Sequence, residues 1–364
     1  MVGLNKVKEG VIEMKYKPQI ETVLKRYKAF WQKDIYDRPP IRIRFPVQGE
    51  GEEEWTMACQ SPETYFAYWE NIFSQRTELA DDDIPSATVD LGPAFMAGVM
   101  GCPVQFGNGT SWSEHIMHDW DRLEELDKIL FDDQNPWVKR MKELILYFNE
   151  KSKGKCTVGA SMLTGTGDIM TALRGATQLC MDFYVYPEEC KRLAEICTKA
   201  WIGVSQYQMN LITPLEGGFC DNYDIWTPGK SQYFADDIST LVSPETYREF
   251  LFPYDCQIAD SLDIPWLHVH SAEARLTPEF VKIPGLRAIQ IVNDGVAGPT
   301  LREIVPLLKQ IQKKHCLLLR KYTMADLEQV LPELSPKGLY IDTQCDSMDE
   351  SKIILKDWNL IKFH

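Results

Sequence analysis

The chain has 364 residues, 44% of them apolar, and a net charge of −14 from 39 Lys and Arg against 53 Asp and Glu. The apolar share is enough to bury a large core, while a negative field of that size repels phosphate backbones and argues against nucleic-acid binding. No run of about 18 apolar residues occurs, so no transmembrane helix is expected. The first residues, MVGLNKVKEGVIEMKYK, hold no apolar signal core, which leads us to expect a cytoplasmic protein. Ten cysteines are present and none forms a C-x-x-C pair. They read as small buried apolar residues, and a disulfide framework is not expected.

In chain order, short β-branched or apolar runs alternate with helical patterns. The predicted strands are Ile41–Phe45, Ala87–Leu91, Cys156–Met162, Gly217–Asp221, Pro265–His270, Ala288–Val292, Cys316–Arg320 and Leu339–Thr343. Helical stretches are predicted at Pro136–Glu150, Pro187–Asn210, Pro244–Leu262, Thr300–Lys313 and Met324–Leu331. Several open after Ser, Thr or Asp, or carry Pro in the first turn, as helix starts do. Strand–helix alternation implies a parallel sheet covered by helices, and eight strands predict an α/β fold of the closed (β/α)8 TIM-barrel type. The last four strands follow one another at roughly 22–29 residues, one compact unit each. Residues 46–85 and 92–135 are long insertions in the early units, rich in Gly, Pro, Trp and acids. The expectation is one domain over residues 1–364, with an N-terminal helical extension over about 1–38.

Reactive groups in such an architecture sit at the carboxyl ends of the strands. Here those ends carry Arg44, Asp90, Ser161, Asp221, Asn222, His268, His270, Asn293, Asp294, Arg320, Lys321, Asp342 and Cys345. His268 and His270, in IPWLHVHSAEARL, lie two apart and share one side of their strand. Two imidazoles can hold a divalent metal, and Cys345 after the eighth strand is placed to be a third ligand. Glu273 is a weaker candidate. A histidine pair satisfied by internal hydrogen bonds is the competing reading. His115 and His118, spaced H-x-x-H in an acidic, Trp-rich segment, read as surface or lid residues.

Other candidates have plainer alternatives. Asp90 is a candidate substrate-orienting or proton-donating group, or a loop cap. Asp221 and Asn222 follow the fourth strand, and Asp294 follows the sixth. Each is suited to orienting a histidine or binding substrate. Tyr223, Trp226, Tyr233, Phe234 and Trp266 offer apolar walls, or simply pack loop against sheet. The stretch GTGD, Gly165–Asp168, offers backbone N–H groups to an anion but lacks a nucleotide-binding arrangement, so a plain turn is as good a reading.

Three segments carry a family resemblance: GTGDIMTALRGATQLCMDFYVYPEEC, DDISTLVSPETYREFLFPYDCQIADSL leading into WLHVHS, and DIYDRPPIRIRF before the first strand. Together they resemble the uroporphyrinogen decarboxylase superfamily, from about residue 20 to 356. The decarboxylases themselves have an Arg-rich M-R-Q-A-G-R-Y-type element, which this chain lacks; Arg42 and Arg44 stand in a different setting. The resemblance is to the cobalamin-linked branch, which includes the methylcobamide:coenzyme M methyltransferases. That branch binds zinc through H-x-C on the fifth strand and a later Cys. His268 matches the His, His270 stands in the Cys position, and Cys345 matches the later Cys. The resemblance therefore implies a zinc-dependent methyltransferase with His268, His270 and Cys345 as metal ligands. It would move a methyl group between a small substrate, such as a methyl ether or alcohol, and a corrinoid (cobalamin) protein. Asp90, Asp221 and Asp294 are the candidate catalytic residues. Arg44, Asn222, Tyr223, Trp226, Trp266 and Arg320 are the candidate substrate-binding residues. A thiolate replaced by imidazole leaves such a metal more positive, which favours activating a methyl donor over activating a thiol. A uroporphyrinogen decarboxylase-type decarboxylase and a non-catalytic ligand-binding barrel remain the alternatives, and a homodimer is an open possibility of assembly.

Overall fold

The computed structural model describes residues 13–49, 60–107, 110–128 and 131–360. Its strands are β1 (Ile41–Arg44), β2 (Ser86–Thr88), β3 (Val104–Gly107), β4 (Thr110–Ser113), β5 (Thr157–Gly159), β6 (Phe219–Cys220), β7 (Trp226–Thr227), β8 (Tyr233–Phe234), β9 (Trp266–His270), β10 (Ala288–Val292), β11 (Cys316–Tyr322) and β12 (Leu339–Gln344). Each of the eight predicted strands overlaps one of these, and helices separate them, so the fold is α/β. The last four strands, β9 to β12, pair in parallel in sequence order, and β12 pairs back onto β1.

The backbone ladder does not run unbroken around eight strands. It forms one sheet of six strands, β1-β12-β11-β10-β9-β8, and one of four, β2-β5-β6-β7. Side chains bridge both seams. Between β1 and β2, Asp82 Oδ2 accepts from the Ile41 N–H at 2.9 Å and Asp81 Oδ2 accepts from the Ile43 N–H at 3.0 Å. Between β5 and β8, the Ser161 N–H donates to Gln208 Oε1 at 2.8 Å, and Gln208 Nε2 donates to Gln232 Oε1 at 3.0 Å. Buried N–H and C=O groups must find partners, and here carboxylates and carboxamides stand in for a missing neighbour strand. The α/β fold is thus seen as ladders of six and four strands, joined at these two places through side chains.

Helix boundaries follow the local chemistry. Ser61, Asn135 and Ser243 cap the helices Pro62–Arg76, Pro136–Lys151 and Pro244–Phe250, each with Pro in the first turn. The predicted single helix Pro244–Leu262 is two, Pro244–Phe250 and Phe252–Asp260, because Pro253 has no N–H to continue the first. The N-terminal extension supplies the helix Ile20–Trp31, whose buried face is Ile20, Val23, Leu24, Tyr27, Phe30 and Trp31. It packs with Trp266, Ala288 and Cys316, the first residues of β9, β10 and β11, and so plugs the amino end of the strands. At roughly 1.5–3 kcal/mol per buried side chain, this face contributes on the order of 10 kcal/mol before the entropy of ordering is set against it. No helix among the described residues is long and apolar enough to cross a membrane. The plug leaves the carboxyl ends as the open side of the fold.

Candidate active site at the carboxyl ends of the strands

Strand β9 is buried along Trp266–Val269 and half-buried at His270, where it emerges. His268 lies opposite Gln290 in the β9–β10 register, and its Nδ1 is 2.6 Å from Gln290 Oε1. An N–H donated to that oxygen leaves Nε2 with its lone pair. Burial, and then the charge of Arg320, push the His268 pKa down to about 3, so the ring is neutral. His270 differs. Its Nδ1 is 2.6 Å from Asp294 Oδ1 and its Nε2 3.5 Å from Asp237 Oδ1. Burial pulls its pKa down, but the Asp294 hydrogen bond and the two carboxylate charges outweigh that and raise it. The two rings stand 5.1 Å apart, nearly perpendicular.

Asp294 is itself held, accepting from Ser271 Oγ at 3.0 Å and the Ala272 N–H at 3.2 Å. Burial opposes its ionisation, yet these bonds and His270 hold its carboxyl below the usual range. Glu273 Oε2 accepts the His270 N–H at 2.7 Å, and Oε1 takes a short bond from Ser239. Burial pushes the Glu273 carboxyl up to about 7. Asp294 and Glu273 therefore fix the position, tautomer and charge of His270.

Beside the histidines runs an aromatic and cationic column. Tyr223 stacks on Tyr233 with centroids 4.7 Å apart, and the Arg320 guanidinium lies 3.6 Å from the Tyr223 ring centre. Tyr223 also stands 5.2 Å from His268. Arg44 forks onto Asp342, with contacts of 2.7, 2.9 and 3.0 Å. Arg42 pairs with Asp83 at 2.8 Å and Asp224 at 2.5 Å. Two cavities flank this centre. One of about 660 Å³ is lined by Arg44, Phe45, Thr323, Met324, Gln344 and Cys345. The other, about 300 Å³, includes Ala94, Trp112, His115, Thr164, Asp168 and Asp237 in its wall.

The structure thus brings together His268, His270, Asp294, Tyr223, Asn222 and Arg320, with Arg44 linked through Asp342. Other predicted site residues have different duties. Cys345 is not at the histidines: its thiol donates to the Ser347 carbonyl at 3.3 Å, and the charged groups acting on it are Glu350, Asp346 and Arg76. Among the described residues no three His, Cys, Asp or Glu side chains are grouped so as to hold a metal ion. Trp226 is fully buried at the amino end, bonded through Nε1 to the Leu215 carbonyl and packed 6.5 Å from Tyr27, so it is core and not a substrate wall. Trp266 is also fully buried and donates Nε1 to Asp221 Oδ2 at 3.1 Å. Asp221 further accepts the Tyr223 and Ile225 N–H groups, so it shapes the loop bearing Tyr223. Burial pushes its carboxyl up to about 7. Asp90 caps the turn after β2 by accepting the Gly92 N–H at 3.0 Å, the cap reading. His115 and His118 are exposed.

GTGD does bind an anion, an internal one. Gly167 N–H donates to Asp236 Oδ1 at 2.5 Å, and Gly165 N–H donates to the Ala235 carbonyl at 2.6 Å. A Cβ at Gly165 would meet that carbonyl at 2.0 Å, so only glycine allows the approach. This junction delivers the neighbouring Asp237 to His270. Sequence reasoning missed Asp237, which sits in an unremarkable loop, and Gln290. A single carboxamide inside AIQIV was the available signal for the latter, since buried polar groups need partners.

No family model and no curated protein matches the sequence. Among solved structures, a methyltransferase from Methanosarcina mazei superposes with a TM-score of 0.66 at 13% identity, covering 96% of this chain and 99% of that one. At that identity the likeness is one of fold.

Proposed function

We propose that this chain is a methyltransferase that removes a methyl group from a small substrate bound at the carboxyl ends of a ring of eight principal strands. The observation carrying this reading is the fold likeness to a methyltransferase over nearly the whole of both chains. A corrinoid on a partner protein would supply the nucleophile that takes the methyl group. This chain's part is then to hold the donor and to neutralise what leaves. When the methyl carbon is attacked, the carbon–oxygen bond breaks with its electron pair on oxygen, and that oxygen takes a proton from His270 Nε2. Asp294, 2.6 Å away on the opposite ring nitrogen, stabilises the imidazolium before transfer and keeps the ring aimed. Neutral His268 and the Tyr223–Tyr233 stack form a wall of low polarity beside it.

Zinc in the predicted form does not fit these side chains. His268 and His270 have their Nδ1 atoms tied to acceptors, as metal-bound imidazoles do. They are two ligands, however, and the thiol meant to be the third lies elsewhere. The reaction is therefore written with side-chain acid chemistry alone. The decarboxylase alternative needs converging free arginines. Arg42 and Arg44 are already matched by Asp83, Asp224 and Asp342, which disfavours it.

The test is transfer of an isotopically labelled methyl group from a panel of methyl ethers and alcohols to reduced cobalamin. Methylated cobalamin forms with the purified chain, and Asp294→Asn slows its formation. Absence of transfer from every donor, with the natural corrinoid partner also supplied, would refute the proposal.

A further inference from the structure

Arg320 is the one arginine of the central group that makes no hydrogen-bonded ion pair, sharing Asp342 with Arg44 at longer range. It is 8% exposed, and its Nε and Nη1 are buried with no hydrogen-bond partner. Asp342 is its nearest carboxylate, at 3.6 Å from Nε, beyond a hydrogen bond, and that carboxylate is already forked by Arg44. A buried guanidinium left this way is costly, because desolvating a charge takes several kcal/mol that only a close counter-charge returns. It is also pre-aimed. The Tyr223 ring lies against its flat face at 3.6 Å, fixing the plane in which the nitrogens point. On the same stack, one end of the Asn222 carboxamide reaches the Tyr233 hydroxyl at 3.4 Å while the other end is buried without a partner.

From this oriented guanidinium, whose Nε and Nη1 lack hydrogen-bond partners, we infer that the substrate is a small carboxylate, docked as a planar anion on Arg320. A carboxylate is the anion whose two oxygens match a guanidinium edge. One such group suffices, since the neighbouring arginines are neutralised in place. The anion also answers how a chain with a net charge of −14 would hold a negatively charged substrate: locally, through one buried cation. The inference rests on the methyltransferase reading only in placing the substrate at this end of the strands.

The test is binding, by calorimetry, of acetate, benzoate and 4-methoxybenzoate against the matched neutral amides. The full chain binds at least one carboxylate more tightly than its amide, and Arg320→Lys weakens that carboxylate roughly 10- to 100-fold, the equivalent of one charge-assisted hydrogen bond, while leaving the amide unchanged. If the arginine variant does not fold, Tyr223→Leu keeps Arg320 but removes the ring that fixes its plane, and weakens the carboxylate selectively. No carboxylate preference in the parent chain, or a preference that survives these substitutions, overturns the inference. The two readings fail separately. Methyl transfer from neutral donors without carboxylate preference sinks only this one, and carboxylate binding without methyl transfer sinks only the other.

Discussion

Replacing Asp82 tests the seam that side chains close between β1 and β2. Asp82 is fully buried and serves three donors: Arg26 Nη1 at 2.8 Å, Arg38 Nη1 by a short contact, and the Ile41 N–H at 2.9 Å. Asp82→Ala removes this acceptor from all three and orphans the Ile41 N–H. Removing one partner of a buried ion pair costs about 3–5 kcal/mol, and orphaning a buried N–H costs about 1–3 kcal/mol. Arg26 keeps Asp37, and Arg38 keeps Asn359 and the Pro39 carbonyl, so the lower end applies. The expected loss is about 4 kcal/mol, a large part of a typical native stability of about 5–15 kcal/mol. Urea unfolding followed by tryptophan fluorescence reads it as a midpoint lower by roughly 1 M or more. Asp82→Asn still offers the Ile41 N–H an oxygen but carries no charge, so it loses nearly as much. A loss below about 1 kcal/mol in the alanine variant would show that the seam does not depend on this carboxylate.

Two further outcomes follow from the site. Glu273 has a folded-state pKa pushed up from 4.5 to about 7, so it contributes stability that is full below 4.5 and lost as pH rises through 7. Glu273→Gln keeps both partners, accepting from the His270 N–H and donating to Ser239, and the fall in urea midpoint between pH 5 and pH 8 becomes shallower. An unchanged slope would contradict the burial of that carboxyl. Cys345→Ser leaves the zinc content of the purified protein unchanged, because the thiol meets Ser347 and not the histidines. Stoichiometric zinc in the parent chain that disappears in the variant would place the sulfur at the centre after all.

What sequence could determine here was periodic or local. Strands announced themselves as apolar runs, and Pro and Ser marked helix starts, because these signals depend on near neighbours. The pairing of His268 with His270 was legible for the same reason, since residues two apart on a strand share a side. Spacing along the chain could not say which distant group meets them. Cys345 and Asp237 both stand near strand ends, yet the Cys345 thiol is engaged by the Ser347 carbonyl while Asp237 is carried to His270 by the loop clasped at Gly165 and Gly167. The split of aromatics was equally invisible: Tyr223, in the turn between β6 and β7, reaches His268, while Trp226, on the returning strand, is fully buried against Tyr27. Charge matching was the last thing to be decided. Arg42, Arg44 and Arg320 are equivalent as letters. Only the placement of Asp83, Asp224 and Asp342, from three separate parts of the chain, gives two of them hydrogen-bonded partners and leaves the third buried with a longer, shared contact to Asp342.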